Sequence, residues 1–171
     1  MRLKDQIMTT LLLTIGLLLH YITPGLLGGM KFDFLLIFIL ASLLINSKFD
    51  NIILTGLLGG LLSAMTTTFP GGQIPNIIDK MVTCLSMYLV INFFKRYSLN
   101  VIKVGIIGAL GTLISGITFL SSALFITGLP MPLPLLVKGI VLPTAIVNTM
   151  GIVVIYKTLI TTMKRLGINP Q

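Results

Sequence analysis

Six apolar runs separated by short turns leave this chain almost nothing from which to build a water-soluble surface. They fall at about 7–22, 34–46, 52–69, 77–94, 101–127 and 135–163 of 171 residues. One helical crossing of a hydrocarbon layer roughly 30 Å thick takes about 20 mainly apolar residues, so the length allows about six crossings and little else. The second run is short for a full crossing. Composition agrees: 55% of residues are hydrophobic and 9% charged, against about 25% charged in an average soluble domain. The expected fold class is an all-α membrane protein of six transmembrane helices in three hairpins, forming a single domain over residues 1–171.

A formal net charge of +8 would suggest nucleic acid in a soluble protein, but the charges are placed as topology signals. With the N-terminus in the cytoplasm, the inner side collects Arg2, Lys4, Lys48, Lys95, Arg96, Lys103, Lys157, Lys164 and Arg165, and the outer side only Lys31, Lys80 and Lys138. That bias predicts cytoplasmic N- and C-termini and no nucleic-acid partner; the partner of the basic flanks is the lipid bilayer. Arg2 and Lys4 precede the first run as in a signal peptide. No small-residue cleavage pattern follows, since Thr23-Pro24-Gly25-Leu26 lacks it, so a retained first helix is expected. The lone Cys84 excludes an internal disulfide framework and a CxxC metal site, and is expected to be a small buried hydrophobe.

The outer turns, Thr23 to Met30, Phe69 to Pro75 and Gly128 to Pro134, are rich in Gly and Pro, whereas the inner turns around Lys48 and Lys95 to Asn100 are polar and basic. Irregular backbone needs protein or water to satisfy its polar groups, so the three outer loops are either joint caps of a water-accessible cavity or simply tight turns. A weak repeat relates Gly56, Gly59, Gly60, Ser63 and Thr67 to Gly105, Gly108, Ala109, Thr112 and Gly116. Stripes of small residues let helices approach closely, either within the bundle or against a partner.

Ionisable groups near the outer ends are His20, Lys31, Asp33, Asp79, Lys80 and Lys138; in a membrane chain such groups are functional candidates. Pro75-Asn76 predicts a helix start with Asn76 as N-cap, after which Asn76, Asp79, Lys80, Thr83 and Ser86 share one side. Asp79 and Lys80 are turned about 100° apart, so each is expected to find another partner. A zwitterion such as an amino acid suits this arrangement, with its ammonium near Asp79 or Asp33 and its carboxylate near Lys80, Lys31 or the Asn76 cap. An interloop salt bridge, for example Lys31 with Asp79, is the alternative. Lys138, Val141, Ala145 and Asn148 lie within one arc of the sixth helix, and Asn148 either meets a ligand or joins helices. Among the aromatics Tyr21, Phe32, Phe34, Phe69, Phe119 and Phe125, most are expected in the core or facing lipid, and one or two, Phe69 among them, against a planar ligand.

Enzyme readings find no support. There is no G-x-x-x-x-G-K-[ST] and no H-E-x-x-H, and no second carboxylate accompanies Asp79 on its helix. No motif pairs His20 with Ser115 or Ser121. No catalytic residue, metal site or resident cofactor is expected.

The stretch Thr67-Thr68-Phe69-Pro70-Gly71-Gly72-Gln73-Ile74-Pro75-Asn76-Ile77-Ile78-Asp79-Lys80 resembles the signature of the bacterial tryptophan-transport protein family, a group similar to the substrate-binding S-components of energy-coupling factor (ECF) transporters. Gly28-Gly29-Met30-Lys31-Phe32-Asp33, and Leu142-Pro143-Thr144 with Asn148, resemble two further family motifs, and the likeness covers essentially the whole chain. It implies an S-component-like bundle in a bacterial cytoplasmic membrane that captures tryptophan from outside. Such a subunit joins a transmembrane coupling protein and two ATPases, which use the ATP. Where S-components often carry Ala-x-x-x-Ala on the first helix, this chain has Thr10-x-x-x-Thr14. For indole, Gln73, Asn76 or Asn148 could accept the ring N–H. The candidate substrate-binding residues are therefore Lys31, Asp33, Phe69, Gln73, Asn76, Asp79, Lys80, Lys138 and Asn148. A carrier for another planar solute, working alone or with the module, and a structural subunit of a membrane complex are the alternatives.

Overall fold

The computed structural model describes residues 3–95 and 99–167; Arg2, Arg96 and the side chain of Lys4, counted above among the basic flanks, lie outside the described residues. All regular structure among the described residues is helical: α1 Leu3–Ile22, α2 Phe34–Ile45, α3 Phe49–Met65, α4 Gln73–Lys95, α5 Val101–Ile126 and α6 Leu133–Arg165, with a 3-10 turn at Leu27–Gly29 before α2. Five segments are long and apolar enough to cross a membrane, one of them Leu27–Ile45, which reaches that length only by counting the turn and linker before α2, while α3, at 17 residues, is a shorter apolar helix.

The core is organised around α2. Every residue from Leu35 to Ile45 is buried, and α2 touches each of the other helices. A helix apolar on all sides can sit only where protein surrounds it, which explains why FLLIFILASLLI shows no polar face. Its 12 residues rise about 18 Å, well short of roughly 30 Å of hydrocarbon. Around it, α3 packs along α4, α4 along α5 and α5 along α6, with α1 against α2 and α3. The outward faces carry exposed Leu18, Leu89, Ile102, Ile146 and Met150, as lipid contact requires.

The glycine stripes serve internal packing. A Cβ on Gly60 would come within 3.0 Å of the Ile77 Cα on α4, and one on Gly108 within 3.3 Å of the Thr149 Cα on α6. Side chains there would force the helix backbones apart. Cys84 is buried, as expected.

Two local expectations are corrected. Asn76 is not an N-cap: α4 starts at Gln73, and the Asn76 N–H donates to the Gly72 carbonyl at 3.0 Å. Pro75 is accommodated within the first turn, where its missing N–H would have had no helical partner. In α6, residues Val137–Val141 form a π turn, and the Leu142 N–H reaches back to Val137. Pro143 supplies no N–H and its ring crowds the carbonyl four residues before it, so the wider turn relieves both conflicts.

The three Gly/Pro-rich loops meet at one end of the bundle. Thr68 Oγ1 donates to the Gly29 carbonyl at 2.7 Å, Gly28 lies against Pro130, and Gly71 against Thr127. Gly29, at φ 80°, has no alternative: a Cβ there would sit 2.5 Å from the Thr68 carbonyl oxygen. This loop end contrasts with the opposite, basic end, where Lys95 Nζ donates to Ser47 Oγ at 2.9 Å and ties α4 to the turn between α2 and α3.

Candidate functional site

Beneath the three loops, at the N-terminal end of α2, a cavity of about 60 Å³ is lined by α1, α4, α5, α6 and the segment leading into α2. Its floor is ionic. Lys80, 1% exposed, places its ammonium on Asp79 Oδ2, on Asp33 Oδ2 at 2.5 Å and near Ser115 Oγ at 3.2 Å. Ser115 Oγ donates to Asp79 Oδ2 at 2.9 Å, and Thr83 Oγ1 to Asp79 Oδ1 at 2.9 Å. Asp33 caps α2 by accepting from the Leu36 N–H at 3.2 Å. Its Oδ1 also lies 3.4 Å from His20 Nδ1, in ion-pair range but off the hydrogen-bond direction. Two carboxylates share one ammonium, so this cluster carries a formal surplus of one negative charge.

The expectation that Asp79 and Lys80 would not meet is overturned. Their backbone directions do diverge, but the long lysine stem curls back so that one ammonium reaches both carboxylates. Burial drives this: an unpaired charge in a low-dielectric interior costs several kcal/mol, so each charge goes to the available partner. An ion pair between segments does form, but through Lys80 and Asp33 rather than Lys31 and Asp79. Lys31 instead donates to the carbonyls of His20 and Thr66, at 2.7 Å each. Those carbonyls close α1 and α3, where the helix dipoles favour a cation.

The wall above the charges is apolar. Phe69 and Phe119 meet edge to face with centroids 5.1 Å apart, and with Met30, Ile140 and Val141 they belong to a second hydrophobic cluster, separate from the main core. Asn76 also faces the cavity; its Nδ2 donates to the Gly72 carbonyl at 2.8 Å, leaving Oδ1 without a donor among the described residues.

Of the nine candidates, Lys31, Asp33, Phe69, Asn76, Asp79 and Lys80 converge on this cavity. Gln73 and Lys138 are exposed and do not line it. Asn148 stands just behind the wall, where its Nδ2 donates to the Asp33 carbonyl at 3.1 Å and to Thr112 Oγ1 at 3.2 Å. It thus joins α6 to α5 and to the start of α2. His20, named among the ionisable candidates, and Thr144, part of a family motif, were left out of the expected binding set together with Thr112 and Ser115, yet all four line the cavity. The spacing of Thr112, Ser115 and Phe119 on one face of α5 was the available signal.

This arrangement can hold a small charged or zwitterionic solute against an aromatic wall. At about 60 Å³ it admits a few waters, while a drug-sized ligand occupies pockets of roughly 300 Å³ or more, so a solute with a ring must part the loops. The π turn at Val137–Val141 borders the cavity through Ile140 and Val141. Such turns are frequent at functional sites.

Residues 2–164 match the family described as tryptophan transporter TrpP. A Bacillus subtilis (strain 168) protein named "Probable tryptophan transport protein" is 39% identical over 165 residues, covering 96% of this chain and 95% of the relative. Proteins of the same name from Clostridium acetobutylicum and Clostridium perfringens are 44% and 38% identical, over 86% and 91% of this chain and 86% and 90% of their own lengths. No solved structure matches. With a match that runs over nearly the whole chain, the chain belongs to the TrpP family, a family of transport proteins.

Proposed function

We propose that this chain carries tryptophan across a bacterial cytoplasmic membrane, binding it in the cavity at the loop end. The observation that carries this reading is the buried Asp33–Lys80–Asp79 cluster beneath the Phe69–Phe119 wall. An amino acid brings an ammonium, a carboxylate and a side chain, and the cavity offers a partner for each. The ammonium joins Asp33, the least buried of the three charges at 19% side-chain exposure, and takes up the surplus negative charge. The carboxylate then draws on the Lys80 ammonium released from Asp33, or on the remaining proton of Lys31. The indole lies against Phe69 and Phe119, and its N–H donates to Asn76 Oδ1. Gln73 and Lys138 stay outside the lining, and Asn148 holds the Asp33 carbonyl from behind.

The finer reading is one domain of six crossings with both termini cytoplasmic and the loop end outside. It rests on the basic bias and on the gathering of all three Gly/Pro loops at one end. Labelling tests it. In a Cys84→Ala background, Gln73→Cys and Pro132→Cys, both at exposed positions, should react with an impermeant thiol reagent from outside, and Lys48→Cys and Asn100→Cys should not. The opposite pattern reverses the orientation.

The energy source belongs to the same proposal: an ECF coupling protein and two ATPases supply ATP hydrolysis, and the chain acts as their S-component. The support is the absence of a P-loop sequence from the chain. Uptake of labelled tryptophan is to be measured in cells expressing the chain with and without the coupling module. Uptake only with the module supports the S-component reading, and uptake without it replaces that reading with a self-sufficient carrier. No uptake in either case, with membrane expression verified, overturns tryptophan transport.

A further inference from the structure

At the opposite end of α2 lies a second cavity, of about 310 Å³, bounded by the first turns of α1, the C-terminal turn of α2 and Met163 of α6. Two of its polar atoms are buried without a partner among the described residues: Asp5 Oδ2 and Asn46 Nδ2. Asn46 is 3% exposed. It caps α2, and its Oδ1 is already engaged by the Lys48 N–H at 3.2 Å, so only the amide donor is left open. The other polar groups here satisfy one another. Thr9 Oγ1 donates to Asn51 Oδ1 at 2.8 Å, and Asn51 Nδ2 to the Asn46 carbonyl at 2.8 Å. Buried donors and acceptors left open are costly, so a pair of them on residues lining one cavity is a feature that calls for a partner.

We infer that this cavity is a second binding station for the transported amino acid, occupied on the side opposite the first. One open group is an acceptor carrying negative charge and the other a neutral donor, which matches the ammonium and carboxylate of a zwitterion. Thr9 and Ser42, already hydrogen-bonded to one another, also line it; the other lining side chains are apolar, and Met8 and Met163 among them offer polarisable sulfur to an aromatic ring. The volume falls at the lower end of the range typical of small-molecule pockets, roughly 300–1,000 Å³. Between the stations stands α2, about 18 Å of apolar helix, and its two ends, Asp33 and Asn46, each contribute to one cavity. The choice of tryptophan as the solute rests on the function proposed above.

Binding of labelled tryptophan to right-side-out and to inverted membrane vesicles tests the inference, because each preparation presents one end of the bundle. Asp5→Asn and Asn46→Ala should each weaken saturable binding at one face by about ten-fold or more, with less than about two-fold change at the other. Asp33→Asn should produce the mirror-image pattern. As a second readout, tryptophan should protect a Met8→Cys variant in a Cys84→Ala background from a thiol reagent in detergent solution. Normal binding at both faces by folded Asp5→Asn and Asn46→Ala proteins, together with an unprotected cysteine, overturns the second station while leaving tryptophan transport standing. Absence of binding at both faces by the unaltered chain overturns both. Displacement of the label by glycerophosphoethanolamine more readily than by tryptophan assigns the cavity to a lipid headgroup and overturns the inference.

Discussion

The two ends of α2 solve the same problem, polar groups buried inside a membrane bundle, with different chemistry. At the loop end, charges are locked together: Lys80 saturates itself on Asp79, Asp33 and Ser115, and the cavity is about 60 Å³. At the basic end, Thr9, Ser42, Asn51 and Thr55 form a neutral hydroxyl and amide network, and the cavity beside it is about 310 Å³ with two open polar atoms. A locked charge cluster is a good gate. It opens at low cost only when an incoming ammonium and carboxylate replace the bonds being broken, so a solute lacking either group leaves it shut. Neutral hydrogen bonds are individually weak and need no such exchange. On the function proposed above, the loop end is the selective end and the basic end the permissive one.

The largest expected effect comes from stripping the cation out of the locked end. Lys80→Met leaves Asp79 and Asp33 facing one another without a cation, and unfolding of the purified protein in detergent should show a loss of about 3–5 kcal/mol. Replacing all three charges, as Asp33→Asn, Asp79→Leu and Lys80→Met, should recover part of it. A single Lys80→Met variant as stable as the parent would show that the cluster does not lock this end.

Next in size is the effect on selectivity. Asp33→Asn keeps the cap on α2 but removes the charge proposed to receive the ammonium, so tryptophan binding should weaken by about 1.5–3 kcal/mol, roughly ten- to a hundred-fold. Tryptamine, which lacks the carboxylate, should bind poorly even to the unaltered chain. The chain contains no tryptophan, so ligand fluorescence in detergent, with an empty-micelle control, reads both directly.

The neutral network should prove softer. Asn51→Ala removes an amide that joins Thr9, Ser42 and Asn46, and a stability loss of about 1–3 kcal/mol is expected, with tryptophan binding at the loop end unchanged. A loss matching that of Lys80→Met would erase the distinction between the two ends. The smallest effects belong to exposed positions outside the cavity wall: Gln73→Ala and Lys138→Met should each change stability by no more than about 0.5 kcal/mol. A ten-fold loss of binding in either variant would extend the site beyond the cavity lining.

Much of this architecture was legible in the residue order because it depends on local rules. Apolar runs long enough for helices, Gly and Pro between them, and small residues at helical spacing follow from propensity and periodicity, and all reappear within a few residues of their expected places. The stripe Asn76, Asp79, Lys80 and Thr83 was readable for the same reason. These four lie on one face of one helix and are buried together, while Ser86, the fifth residue expected in the stripe, is only half-buried.

Only the tertiary structure decided who pairs with whom. Helical geometry correctly separates Asp79 from Lys80 by about 100°, but it does not know that Asp33, far away in sequence, waits within reach of the same ammonium. The start of α4 at Gln73 depended on the loop carbonyl at Gly72, and the π turn in α6 on how Pro143 is accommodated. The central position of α2 was hidden too, because an all-apolar stretch reads the same whether lipid or protein surrounds it. Chain order thus specified the helices and the polar groups that must be buried. Which partner each group finds is set by long-range packing, since a buried charge or amide lowers its energy through whatever the fold brings alongside it.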